Sequence, residues 1–257
     1  VYKRQAFKQD HIFKDWDDVK ANANNRYDAI GELYGPAAWE ALKDKAGKQP
    51  IEPGDVCWAD LNNDGVINNL DRVKVGNLFP TVTGGFSTTL GYKDFSLYAR
   101  FDYALGHTLY NDLAARSLGQ YQGSFNIIDM VKDSWSETNQ NTDIPKFYYA
   151  DQLSKKNITR SNNGLTAVDN NSSRFYEKGD YLALREITLT WNLPKKWINK
   201  ALMSNASVYV TGQNLFYITG YTGVSPEPAV DTTYGQGLDN GRYPTPKTVL
   251  LGLSVTF

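Results

Sequence analysis

The run Asp60-Leu61-Asn62-Asn63-Asp64-Gly65-Val66-Ile67-Asn68-Asn69-Leu70-Asp71 has the residue types and spacing of a loop that wraps a hard cation. Oxygen-bearing side chains stand at its first, third and fifth positions, and Gly65 falls where such a loop turns sharply. Val66 would offer its carbonyl, Asn68 would act through a water, and Asp71 would close the loop. Asp71 is shorter than the bidentate Glu usual at that last place, so the expected affinity is modest, about 10⁻⁴–10⁻³ M, as in extracellular modules. The expected ion is Ca²⁺, and its role is to rigidify a surface loop rather than to do chemistry. The alternative is a loop rich in Asx turns that holds no metal.

No catalytic set accompanies this motif. His11 and His107 have no nucleophile at a recognisable spacing, and neither a G-x-S-x-G elbow nor a Gly-rich phosphate loop occurs. Both histidines read as surface residues, and the chain is expected not to be an enzyme. Glu227, Asp231 and Asp239 could imitate a glycosidase carboxylate pair, but they lie in a Pro/Gly-rich loop with nothing to hold them. A net charge of −1 gives no electrostatic case for a nucleic-acid partner. Cys57 is the only cysteine, so no intrachain disulfide can form, and it reads as a passive residue.

The elements that carry these residues are strands. In Thr248-Val-Leu-Leu-Gly-Leu-Ser-Val-Thr-Phe257, Val249, Leu251, Leu253, Val255 and Phe257 are apolar at every second position. That is the period of a strand with one apolar and one wet face. Phe86 to Tyr92 alternates likewise, Lys93-Asp94 makes a tight turn, and Phe95 to Leu105 follows as a second strand. Its other face carries Arg100 and Asp102, costly in a dry sandwich core but cheap against a water-filled lumen. A third strand spans about Tyr181 to Asn192, with a change of parity between Leu184 and Ile187 that suggests a bulge or the end of the membrane zone; a fourth spans Ser207 to Tyr217. Mean hydropathy of −0.50 and the absence of any long apolar run exclude a transmembrane helix but not a barrel, whose strands barely register on that scale.

The connections alternate in length: tight at 92–94, very long at 106–179, short at 193–204 and long at 218–245. Short periplasmic turns and long external loops are the pattern of an outer-membrane barrel. The expected fold is all-β, a transmembrane antiparallel β-barrel. Residues 1–80 form an extracellular loop region with the calcium-type loop 60–71, and residues 81–257 supply barrel strands with extracellular loops 106–179 and 218–245. Five strands fall short of the roughly eight in the smallest such barrels, so the chain is expected to be a fragment whose front end is missing. Aromatics in the long loops, among them Tyr110, Tyr121, Trp135, Tyr148 and Tyr149, could stack on sugar faces or pack against a partner, or simply pack the loops.

Gly54-Asp55-Val56, the run from Asp60, Asp71-Arg72, Gly76-Asn77, Pro80 and Thr83-Gly-Gly-Phe86 together resemble the C-terminal part of SusC/RagA-type TonB-dependent outer-membrane transporters. The likeness continues through Trp135, Asn139, Ile144-Pro145-Lys146, Tyr181-Leu-Ala-Leu-Arg-Glu-Ile-Thr-Leu189, Gly212-Gln-Asn-Leu-Phe216, Tyr221-Thr-Gly, Pro226-Glu227, Tyr243-Pro-Thr-Pro-Lys247 and the Phe257 terminus. Cys57 departs from it, because a polar residue is more usual there. The resemblance implies the last five strands of a plugged barrel of about 22 strands in the bacterial outer membrane. It also implies import of oligosaccharides or peptides with a SusD-like surface lipoprotein, energised by the TonB complex through a region outside this chain. Two other readings stay open: a soluble or surface calcium-dependent carbohydrate-binding β module, and an outer-membrane receptor that does not transport.

Overall fold

The computed structural model describes residues 3–22, 26–27, 51–64, 66–67, 69–115, 117–118, 129–147, 172–227, 237–241 and 243–257. They belong to two units, each discontinuous in sequence. One is built from residues 1–78, 110–177 and 238–241, the other from 79–109, 178–237 and 242–257. The second unit holds the barrel strands, and part of the long connection read as loop 106–179 clusters instead with residues 1–78.

The barrel unit is a five-stranded antiparallel sheet in which each strand pairs with its neighbour in sequence. Its strands are Val82–Tyr92, Phe95–Leu105, Tyr181–Asn192, Asn205–Thr219 and Thr248–Thr256, hereafter the first to fifth barrel strands. Alternation decides the register, because a slip of one residue would turn every apolar side chain to the wrong face. Phe86 pairs with Phe101, Leu90 with Leu97, Leu97 with Leu189 and Val210 with Leu251, so one apolar face runs across all five strands. That face is open: Val249, Leu251 and Leu253 are exposed, Leu251 by 83%. An apolar stripe of this extent is what strands facing hydrocarbon present. At the tight-turn end it finishes in aromatics, with Phe95 stacked on Trp191 at 6.1 Å and Trp197 edge-on to Trp191 at 5.9 Å. Phe257 follows the end of the fifth strand, 88% exposed, at that same end of the sheet.

The bulge expected from the parity change lies at Arg185. Between the pairs Leu184–Phe101 and Glu186–Arg100 the third strand has one residue more than the second. Between Leu184–Phe216 and Glu186–Gln213 the fourth strand has two residues, Asn214 and Leu215, against that one. Asn214 absorbs the irregularity at φ 52, a left-handed conformation that Asn tolerates better than most side chains. The third and fourth strands thus lengthen stepwise by one residue at a single level.

The other unit has its own core of Phe7, Ile12, Phe13, Val19, Val56, Cys57, Trp58 and Trp135. Strand Gln9–Ile12 pairs antiparallel with Val56–Trp58, and helix Trp16–Ala21 follows, capped by the Asp15 carboxylate on the amides of Asp17 and Asp18. Gly54 sits at φ 92 under the Trp135 indole, and the peptide of residue 54 is tied to Phe13 and Lys146 by 2.8 Å backbone hydrogen bonds. A second cluster gathers Tyr110, Ala115, Leu118, Ile144, Phe175 and Leu238, and joins the segments 110–118, 129–147, 172–177 and 238–239.

On the other face of the sheet, Gly252 lies opposite Tyr209, whose ring would stand 2.1 Å from a Cβ at position 252. Gly252→Val is therefore expected to cost about 1–3 kcal/mol by overpacking. This would appear as a lower urea midpoint for the detergent-purified protein, and an unchanged midpoint would refute the contact.

Candidate functional site

The bulge at Arg185 turns two successive side chains, Arg185 and Glu186, to the face that carries Arg100 and Asp102. Arg185 grips Asp102 bidentately, with Nε donating to Oδ1 and Nη2 to Oδ2 at 2.9 Å. Nη2 also donates to Glu227 Oε1, and Nη1 donates to the Tyr217 hydroxyl at 3.2 Å. The Tyr217 hydroxyl in turn donates to Glu227 at 2.8 Å, and the guanidinium lies 5.5 Å from the Tyr217 ring centroid. One cation on the third strand thus serves two carboxylates and an aromatic from two other strands and one loop. Arg suits this place because its planar fork gives several donors at once. Glu186 reaches Arg100 at 4.0 Å, and Thr188 meets Thr211 at 2.8 Å on the same face. A cleft of about 540 Å³ beside this row is lined by Gly85, Ser87, Arg100, Asp102 and Arg185 among others.

The loop after the fourth strand is fastened at a second point. His107 is 1% exposed, a correction to its reading as a surface residue, and its Nε2 lies 2.9 Å from the Pro226 carbonyl. Its ring stands edge-on to Tyr181 at 6.2 Å, and Tyr181 stands edge-on to Tyr217 at 5.8 Å. Pro226 and Glu227 are therefore held by a backbone contact and a side-chain contact to strand and rim residues. Glu227, set aside with Asp231 and Asp239 as a loop carboxylate with nothing to hold it, is held by Arg185 and Tyr217. The opposed charges on the second strand hinted at this cluster, whereas its loop partner was marked only by the family likeness at Pro226-Glu227 and by nothing that pointed to Arg185.

In the calcium-type loop, Asn62 Nδ2 donates to Asp64 at 2.8 Å, and the Asp64 amide donates back to Asn62 at 3.2 Å. Asp71 is fully buried and its Oδ1 accepts the Leu61 amide at 2.8 Å, closing the loop across its two ends. Asn63 adopts φ 57. Asp60 lines a cleft with Asn63, Cys57 and Asp10. Val66 lies in the short strand Val66–Ile67, and Gly65 and Asn68 lie outside the described residues. Among the described residues, one trio of His, Cys or carboxylate side chains has its ligand atoms within 4.8 Å of one another, and it is Asp10, His11 and Cys57 rather than this loop.

Of the aromatics that could touch a ligand, Tyr110 is 1% and Trp135 is 8% exposed. Tyr110 packs edge-on against Phe175 at 6.2 Å, and Trp135 covers Gly54 with the Lys146 ammonium 5.9 Å from its ring. Both serve as packing residues here. Tyr121, Tyr148 and Tyr149 lie outside the described residues.

A sheet with an open apolar face, a charged opposite face and alternating short and long connections is an arc of a transmembrane β-barrel of the outer membrane. Comparison with known proteins points to the same class. The chain is 32% identical over 243 residues to the TonB-dependent receptor P3 of Formosa agariphila, covering 90% of this chain and 22% of that one. It is 26% identical over 242 residues to the TonB-dependent receptor SusC of Bacteroides thetaiotaomicron, covering 93% of this chain and 21% of that one. The fold matches the RagAB peptide transporter structure with a TM-score of 0.61 at 23% identity, over 79% of this chain and 21% of that one. No family model matches the chain. The chain is similar to TonB-dependent receptors, SusC among them, and spans about a fifth of the length of the curated relatives it matches.

Replacing Arg185 by Met keeps the stem and removes the cation, leaving Asp102 and Glu227 facing each other. Each charge-assisted bond lost is worth about 1.5–3 kcal/mol. Arg185→Met is expected to speed hydrogen exchange across 221–227, and Arg185→Lys to restore protection only in part. Exchange at the native rate in Arg185→Met would show that the loop is held by other contacts.

Proposed function

We propose that this chain forms part of the wall and external surface of a TonB-dependent transporter that imports oligosaccharides or peptides, together with a SusD-like surface lipoprotein. The observation that carries the reading is the charged row Arg100, Asp102, Arg185 and Glu186 on the sheet face opposite the apolar one, with the loop residue Glu227 held against it. Such a face suits a water-filled path through a membrane and is costly in a soluble sandwich. The names of the relatives, receptors and a peptide transporter, point the same way and away from catalysis. The TonB complex would engage a region outside this chain, and outer-membrane lipid would cover the apolar face. In-frame deletion of the gene in its own bacterium tests the reading, with uptake of labelled oligosaccharide and peptide pools measured side by side. Loss of one class names the cargo, and co-purification of a surface lipoprotein with the tagged receptor supports the partner. Unchanged uptake of both pools, with no lipoprotein retained, would sink the transporter reading.

Within this reading the loop 60–71 binds Ca²⁺ as a structural ion through Asp60, Asn62, Asp64, Val66, Asn68 and Asp71. The Asn62–Asp64 contact and the Asp71 closure support it by bringing part of the donor set into a turn before any ion is bound. Calcium at about ten times Kd should stabilise the unit by about 1.4 kcal/mol. Thermal unfolding is expected to shift upward with Ca²⁺ in the native protein and not in Asp60→Ala/Asp64→Ala. An equal shift in both would place calcium elsewhere.

A further inference from the structure

The strand pair that buries Cys57 carries a second irregularity with chemical consequences. Gln9 pairs with Trp58 and His11 with Cys57, so residues 9 to 11 cross one step of the partner strand and Asp10 is the extra residue. In a regular strand Asp10 and His11 would point to opposite faces; the bulge brings them to the same side. Asp10 Oδ2 lies 3.0 Å from His11 Nδ1, and the Asp10, His11 and Cys57 ligand atoms all lie within 4.8 Å of one another.

The far side of the imidazole is already organised. His11 Nε2 lies 3.3 Å from Asp18 Oδ1. Asp18 is fixed in turn by the Lys14 amide at 2.9 Å and the Asn22 side-chain amide at 2.8 Å. The ring also stands edge-on to the buried Phe13 at 5.5 Å. A carboxylate that accepts a hydrogen bond from the N–H of one ring nitrogen, and so leaves the other as a lone pair facing a metal, is the usual support of a metal-bound histidine. Asp10 and Cys57 also line a cleft of about 290 Å³ that gives an ion a way in and room for a water or a further ligand.

We infer that Asp10, His11 and Cys57 form a binding site for a borderline divalent transition-metal ion of the zinc type, with Asp18 positioning the histidine. Thiolate and imidazole donors favour such an ion over Ca²⁺ or Mg²⁺, which take oxygen. Tetrahedral zinc bonds of about 2.0–2.3 Å place ligand atoms about 3.3–3.6 Å apart, so closing the trio takes side-chain movements of about 1 Å. Three protein ligands leave the fourth position to water from the cleft. The ion would join the strand Gln9–Ile12 to Val56–Trp58 at the edge of the core that contains Trp58.

The test uses the detergent-purified receptor containing this chain, stripped with a chelator and titrated with Co²⁺ as an optical substitute for Zn²⁺. A thiolate-to-cobalt charge-transfer band is expected, displaced by Zn²⁺ and lost in Cys57→Ser. His11→Gln should weaken binding by about 10- to 100-fold or more, at least the cost of losing an outer-shell partner. Asp64→Ala alone, in the calcium-type loop but not in the lining of this cleft, should keep the band. X-ray absorption of the zinc-loaded native protein needs no variant, and one sulfur at about 2.3 Å is expected. A shell of nitrogen and oxygen alone, a band that survives Cys57→Ser, or unchanged affinity in His11→Gln overturns the site.

Discussion

The hold of Arg185 on Asp102 and Glu227 is the interaction on which the polar side of the barrel unit depends. Without the cation, two carboxylates that are each about one-third exposed would stand close together, with the Tyr217 hydroxyl donating to Glu227 alone. With it, strands two, three and four share one hydrogen-bonded centre, and the loop after strand four is drawn to it. Partial exposure limits what the pair can contribute through charge alone, since solvent screens it. Bidentate geometry and the number of segments joined make it more than a surface ion pair.

The bulge exists for the same reason. A regular third strand would alternate Arg185 and Glu186 between faces and send one of them toward hydrocarbon, where an ionised group is expensive. One additional residue puts both on the wet side, Glu186 beside Arg100 and Arg185 on Asp102. The other unit uses the same device on a smaller scale, where the bulge at Asp10 sets two neighbouring polar side chains on one side of a strand. In both places a departure from period two groups polar side chains that strict alternation would separate.

Much of the barrel unit was legible in the sequence because alternation is a local property. The third strand was read at Tyr181 to Asn192, where it lies, and the fourth was two residues short at each end. Parity between Leu184 and Ile187 betrayed the bulge, since an extra residue shifts every later side chain. The two-residue step at Asn214-Leu215 left no such mark, because it preserves the alternation: Val208, Val210, Phe216 and Ile218 keep one parity and one face. His107 was misread because its partner is a carbonyl 119 residues away, and a backbone acceptor has no residue type to recognise. The division into units was hidden for a similar reason: the cores join segments distant in sequence, as when Tyr110, Phe175 and Leu238 meet in one cluster. Cys57 read as passive because its neighbours Asp10 and His11 reach it only through strand pairing. Burial, with help from the Asp10 and Asp18 carboxylates, holds its thiol well above the ordinary thiol range.

The stepwise lengthening of the strands at Arg185 also sets the curvature of the wall. Two neighbouring strands of equal length can run side by side as staves of a straight cask. When each successive stave gains a residue at one height, the ladder above that height is staggered against the ladder below it. In a closed barrel, stagger, strand tilt and girth are tied together, and a bulge locally sharpens bend and twist. The part of the wall toward Leu105, Tyr181 and Thr219 therefore follows a different slope from the part toward Tyr92 and Asn192. A tailor's dart works the same way, giving cloth a flare by unequal seams, and here the unequal seams are Asn214, Leu215 and Arg185.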